Sequence, residues 1–117
     1  MKRYTLLILF MFLVPFSSFA QTEYDVSRAQ SYLQEAKYYQ KKAMNYIQEA
    51  ERYLDKADNY QSEVEYYEKK GDSNNAKIYH RYLKRAIDGY KTQIKYAERA
   101  EKSAIGYLEK AGVYIDE

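Results

Sequence analysis

From Ala29 to Lys70 the chain reads, in blocks of seven and without a gap, AQSYLQE, AKYYQKK, AMNYIQE, AERYLDK, ADNYQSE, VEYYEKK. Ala29, Ala36, Ala43, Ala50, Ala57 and Val64 take the first place of each block, and Tyr32, Tyr39, Tyr46, Tyr53, Tyr60 and Tyr67 the fourth. These are the a and d positions of a heptad. Spacing that alternates three and four puts both series on one face of an α-helix, and six heptads in succession imply supercoiling against a neighbouring helix. Neither Gly nor Pro occurs between Thr22 and Lys70, and Ala, Glu, Lys, Gln, Leu and Met favour helix. The pattern predicts one uninterrupted helix over about residues 22–70, about 70 Å long at 1.5 Å per residue.

Gly71 ends that helix, and Asp72, Ser73, Asn74 and Asn75 supply turn and N-cap residues. A second helix is expected over about 74–111 after a turn at 71–74. In it Leu83, Tyr90, Ala97, Ala104 and Ala111 stand seven apart, and Ala86, Gln93, Ala100, Tyr107 and Tyr114 lie three places on. Gly112 is expected to cap this helix and leave a tail at 112–117. Gly89 and Gly106 each cost about 1 kcal/mol relative to Ala inside a helix, which points to close approach of a neighbouring backbone. The fold class is therefore all-α: two long antiparallel helices forming a coiled-coil-like hairpin.

The first twenty residues belong to a different category. Lys2 and Arg3 precede an apolar run from Thr5 to Phe16, and Ser18-Phe19-Ala20 supplies the small residues of a cleavage site. This is the layout of a signal peptide, with cleavage between Ala20 and Gln21, and the run is shorter than the roughly 20 residues that cross a bilayer. The mature product is one domain of 97 residues, exported to the periplasm or the exterior. The absence of cysteine excludes a lipoprotein anchor and leaves packing or oligomerisation, not disulfides, to hold the domain together.

Without Lys2 and Arg3 the 19 basic residues become 17, equal to the 17 acidic ones. A neutral chain offers no footprint for a phosphate backbone, so nucleic acid is not an expected partner. Catalytic chemistry is also missing. His80 is the sole histidine and is expected half-buried at an e position near the turn. Glu63, Glu65 and Glu68 fall at g, b and e and do not converge, and no phosphate loop or nucleophile elbow occurs. No catalytic, cofactor or metal residue is assigned, and the chain is not expected to be an enzyme.

What remains is the apolar stripe, on which most of the 16 tyrosines fall. Tyrosine at d buries its ring against a facing alanine while its hydroxyl reaches the rim. Leu33, Ile47 and Leu54 at e widen the stripe on the first helix; Tyr82 and Tyr96 at g, with Ile87, Ile94 and Leu108, widen it on the second. A stripe this broad exceeds what a two-helix seam buries. Tyr24, Tyr38 and Tyr66 lie off it at c. The candidate interaction surface is therefore Tyr38, Tyr66, Ile47, Leu54, Tyr82, Ile87, Ile94, Tyr96 and Leu108, with the second helix as the preferred side. Glu35, Lys42, Glu49, Lys56, Glu63 and Lys70 alternate in sign at g; Glu65 with Lys69 and Glu98 with Lys102 have the spacing of intrahelical pairs.

Around the turn, Tyr60, Tyr67, Gly71, Asp72 and Ala76 stand as Y-x6-Y-x3-G-D-x3-A, which resembles the inter-helix junction of a tetratricopeptide repeat. That resemblance covers about twenty residues and implies a peptide-binding adaptor built from helices of about 14 residues. The function expected from the whole pattern is a non-enzymatic exported structural or interaction protein that self-associates or docks on an envelope partner. The adaptor is the alternative, and a membrane-surface or carbohydrate binder using the off-stripe tyrosines is a third reading. N-terminal sequencing of the exported protein should return Gln21 as the first residue; a start at Met1 would sink the signal-peptide reading.

Overall fold

The computed structural model describes residues 23–115. The expected signal segment and its expected cleavage site lie outside them. Two helices account for the fold: α1, Glu23–Lys70, and α2, Ser73–Ile115. α1 is 48 residues long with Glu23 and Asp25 in its first turn and Lys69 and Lys70 in its last, the polarity that complements the helix dipole. α2 passes through Gly112, where the sequence placed its cap, and continues to Ile115. A glycine inside a helix costs about 1 kcal/mol but does not terminate it.

The reversal is short because both helix ends are closed by specific hydrogen bonds. Gly71 adopts a positive φ of 75°, which costs a glycine nothing. Asp72 N–H donates to the Tyr67 carbonyl at 2.9 Å, and Gly71 N–H donates to the Glu68 carbonyl at 3.1 Å. Those two bonds form a Schellman motif and satisfy the last carbonyls of α1. Asp72 then caps α2: Asn75 N–H donates to its Oδ1 at 3.2 Å and Asn75 Nδ2 to its Oδ2 at 2.7 Å. These bonds hold the Asp72 carboxyl below its ordinary pKa. The cap therefore stabilises the fold above the usual carboxylate range and weakens as pH falls through the lowered value.

The helices divide into two compact units. In the first, Asn45–Tyr96, the halves of α1 and α2 nearest the turn run antiparallel: Tyr46 meets Tyr96, Tyr60 meets Tyr82 and Tyr67 meets Tyr79. In the second, residues 23–44 of α1 pair with the part of α2 from Ala97 onward, where Tyr32 and Tyr39 both meet Tyr107. α1 crosses from one unit to the other between Met44 and Asn45 without a break.

All six a positions of α1 are buried, and 11 of the 15 buried apolar residues are alanines. Small side chains let helix axes approach to the lower end of the usual range, about 8 Å. That close approach corrects one expectation. Ile47 and Leu54 are 8% and 4% exposed, so they belong to the core and not to a surface; with alanine at a, the seam covers e as well. In the unit nearest the turn, Ala57, Leu83 and Ala86 form a buried cluster, with Tyr60 and Ile87 packed against it. Gln40, also at e, is buried with its Nε2 lacking a protein hydrogen-bond partner.

The two helical glycines differ. A Cβ at Gly89 would lie 2.6 to 2.9 Å from three ring atoms of Tyr53, whereas one at Gly106 would meet nothing within 4 Å. A ring, not a backbone, makes the close approach at Gly89, and nothing makes one at Gly106. Gly106→Ala should therefore raise stability by about 0.5–1 kcal/mol through helix propensity alone. Gly89→Ala should lower it, because Tyr53 must leave its seat. Thermal denaturation of the two variants checks this, and in a Tyr53→Ala background Gly89→Ala should become as favourable as Gly106→Ala.

Candidate interaction surface

The d-position tyrosines of α1 are half-buried along the alanine seam, and their rings make continuous ladders with tyrosines of α2. In the unit nearest the turn, Tyr66 sets its edge against Tyr67 with centroids 5.1 Å apart. Tyr67 stacks on Tyr79 at 5.4 Å and 12°. Tyr79 meets Tyr82 edge-on at 5.7 Å, and Tyr82 lies 5.5 Å from Tyr60. Offset stacks and edge-to-face contacts of this kind contribute about 0.5–1.5 kcal/mol each beyond area burial.

The other unit repeats the first part of this arrangement. Tyr38 sets its edge against Tyr39 at 5.1 Å, and Tyr39 stacks on Tyr107 at 5.6 Å and 12°. The reason lies in the chain: AKYYQKK and VEYYEKK are 28 residues, four heptads, apart, and their partners Tyr79 and Tyr107 are 28 apart as well. Antiparallel pairing gives the later motif of α1 the earlier tyrosine of α2.

Lysines complete both motifs. Lys70 Nζ lies 4.7 Å from the centroid of Tyr66, and Lys42 Nζ lies 5.5 Å from Tyr38 and 5.9 Å from Tyr39. Lys56 covers Tyr53 at 5.5 Å, and Lys110 covers Tyr107 at 4.9 Å. The lysines at g thus sit on aromatic faces of their own helix, as cation–π contacts worth about 0.5–1 kcal/mol at exposed sites. Glu49, the acidic member between Lys42 and Lys56, pairs with Arg52 at 2.9 Å. Glu65 accepts a hydrogen bond from Gln61 Nε2 at 3.2 Å.

Of the residues expected at an interaction surface, Tyr38 and Tyr66 are about half exposed, at 54% and 48%, and Tyr82 and Tyr96 follow at 39% and 40%. Ile87, Ile94 and Leu108 are half-buried. Met44 and Ile105 are exposed apolar side chains that heptad reading did not single out; both sit at b, where the a/d pattern predicts polar residues. His80 is exposed, not half-buried. It lines a cavity of about 390 Å³ beside the turn with Glu68, Gly71, Ser73, Ala76 and Lys77. Among the described residues no group of three or more His, Cys, Asp or Glu is placed to hold a metal ion, and no helix is long and apolar enough to cross a membrane.

Charge repulsion from the Tyr67 phenolate, more than burial or the nearby Glu63 carboxylate, raises the pKa of Tyr79. A raised phenol favours the folded chain while protonated, so this contribution is complete below the ordinary tyrosine pKa and is lost as pH climbs through the raised one. Alkaline titration followed by tyrosinate absorbance should show a late-ionising phenol that Tyr79→Phe removes; a late phase unchanged in that variant would count against it.

No family model, no curated protein and no solved structure matches this chain; the tetratricopeptide likeness therefore stands on the residues around the turn, from Tyr60 to Ala76, and on nothing wider.

Proposed function

We propose that the mature chain is a non-enzymatic, exported interaction protein that binds protein, either a second copy of itself or an envelope component, through its tyrosine-bearing face. The observation that carries this reading is the repeated motif of a stacked d-position tyrosine, an exposed tyrosine set edge-on against it and a lysine over the ring, formed at Tyr38-Tyr39-Lys42 and again at Tyr66-Tyr67-Lys70.

Exposed tyrosines held by their neighbours lose little rotamer freedom on binding, which is why such side chains serve as anchors in protein interfaces. A seam built on alanine buries little area per residue, so a helix pair of this kind gains from any partner that covers its aromatic flank. Lys42 and Lys70 lie over ring faces of Tyr38 and Tyr66, where a sugar would stack, and this favours protein over carbohydrate. The uninterrupted 48 residues of α1 favour an interaction protein over a tetratricopeptide-like adaptor, whose helices of about 14 residues would require a break. Export to the periplasm or the exterior rests on the signal sequence.

Replacing Tyr38 and Tyr66 together by Ser should leave the helical circular dichroism intact, since both rings are exposed. Crosslinking in the native envelope should then lose the species captured by the wild-type chain. Capture of the same species with undiminished yield would overturn the proposal.

A further inference from the structure

Two side chains that the sequence omits give the tyrosine ladders a chemical meaning. The chain has 16 tyrosines but no cysteine and no tryptophan. A thiol would repair a phenoxyl radical, and an indole would compete for the electron vacancy. Without either, one-electron oxidation of this chain ends on tyrosine. Met44 is exposed, but its sulfoxide forms by loss of two electrons and makes no cross-link.

Ring contacts decide which tyrosine it ends on. In the Asn45–Tyr96 unit the series Tyr66, Tyr67, Tyr79, Tyr82, Tyr60 keeps successive centroids at 5.1, 5.4, 5.7 and 5.5 Å. In the other unit Tyr38, Tyr39, Tyr107 and Tyr32 follow one another at 5.1, 5.6 and 6.1 Å. Rings at these separations are in contact, and their orbital overlap lets a phenoxyl radical take an electron from the next phenol. The phenol that gives the electron loses its proton to water, and the phenoxyl that receives it regains one. A vacancy made anywhere on a ladder thus visits all of its rings. One ladder begins at Tyr66, 48% exposed, and the other at Tyr38, 54% exposed. The contacts of Tyr66 with Tyr67 and Lys70, and of Tyr38 with Tyr39 and Lys42, come from α1 itself. They leave about half of each ring open to solvent.

We propose that the two ladders deliver one-electron oxidation to Tyr66 and Tyr38, where the chain is joined covalently to a second copy of itself by tyrosine–tyrosine coupling. The oxidant is a small peroxide-derived radical of the carbonate radical anion class. It takes one electron and the phenolic proton from a tyrosine and leaves as bicarbonate. Two phenoxyl radicals, one on each copy, then bond through ortho carbons. Each ortho hydrogen moves as a proton to oxygen, which restores both phenols, so a cross-link consumes two oxidant radicals and nothing else. The radical need not favour Tyr66 or Tyr38 in energy. Exchange along a ladder is reversible, and coupling drains it where another chain can reach. Tyr82 is less open, at 39%, and is flanked by Tyr79 and Tyr60. Coupling inside a ladder is disfavoured, because the new bond sets two rings edge to edge. Tyr67 instead stacks on Tyr79 at 12°, and Tyr66 stands across Tyr67 at 77°.

Coupling needs only an encounter of two chains, and so stands apart from the binding role proposed above. The test exposes the full mature chain to carbonate radicals, generated by pulse radiolysis of bicarbonate at substoichiometric dose. Cross-links are read by dityrosine fluorescence and peptide mapping. They should centre on Tyr66 and Tyr38 and pass over Tyr24, which is more exposed, at 61%, but belongs to neither ladder and carries Arg28 on its face at 5.2 Å. Tyr66→Phe with Tyr38→Phe should lose most of the covalent dimer. Tyr67→Phe keeps a ring in the stack but removes the phenol that passes the electron on. It should shift cross-links from Tyr66 to Tyr82 with the helical circular dichroism unchanged.

Cross-links that follow exposure, with Tyr24 leading, would overturn the proposal. So would a map that Tyr67→Phe leaves unchanged, or a wild-type chain that forms no covalent dimer. A chain that couples at Tyr66 and Tyr38 yet captures nothing in the envelope bears the coupling out and removes the interaction reading; capture without coupling does the reverse.

Discussion

The structure depends on the placement of alanine at the a positions of α1. A methyl group is the smallest side chain that still excludes water, and a run of them lets a second helix come close along the whole seam. Everything bulky is then displaced to the flanks. Tyrosine at d cannot enter such a seam, so its ring lies along the rim with the hydroxyl in reach of solvent. The e residues of α1, which a wider seam would leave exposed, are covered instead: Ile47 and Leu54 are core residues for this reason.

Close approach carries an energetic consequence. Each buried alanine removes little apolar area from water, whereas a fully buried leucine or isoleucine contributes about 1.5–3 kcal/mol. Among the residues described, no large side chain is fully buried, so the rings, half-buried and stacked, take over part of the role that leucines play in broader coiled coils. Tyr53 seated on Gly89 shows how tightly this is tuned: a ring lies where even a Cβ would intrude. The lysines at g extend the same economy by laying their charge on ring faces in place of open water.

Two flanks with different chemistry follow from one repeat. The d and g positions gather tyrosines and lysines along one side of the seam, and Ile47 and Leu54 at e close the other. Because the motif at Tyr38-Tyr39 recurs four heptads later at Tyr66-Tyr67, each of the two units presents its own exposed tyrosine with the same ring geometry.

The sequence by itself determined the two helices, the turn at Gly71–Asp72 and the burial of the a positions, because these depend on local propensity and on a period of seven that no other regular structure accommodates. It also placed Tyr38, Tyr66, Tyr82 and Tyr96 off the seam. Only the tertiary structure decided the rest, for three reasons of geometry. Whether Ile47 and Leu54 were surface or core depended on how near the helices came, and whether α2 stopped at Gly112 depended on more than the presence of a glycine. Tyr53 was matched to Gly89, Tyr67 to Tyr79 and Tyr39 to Tyr107 only once the antiparallel register was fixed. The formal net charge of +2 likewise left open where each charge sits, because a sum over residues is blind to which helix, and which side of it, each charge occupies.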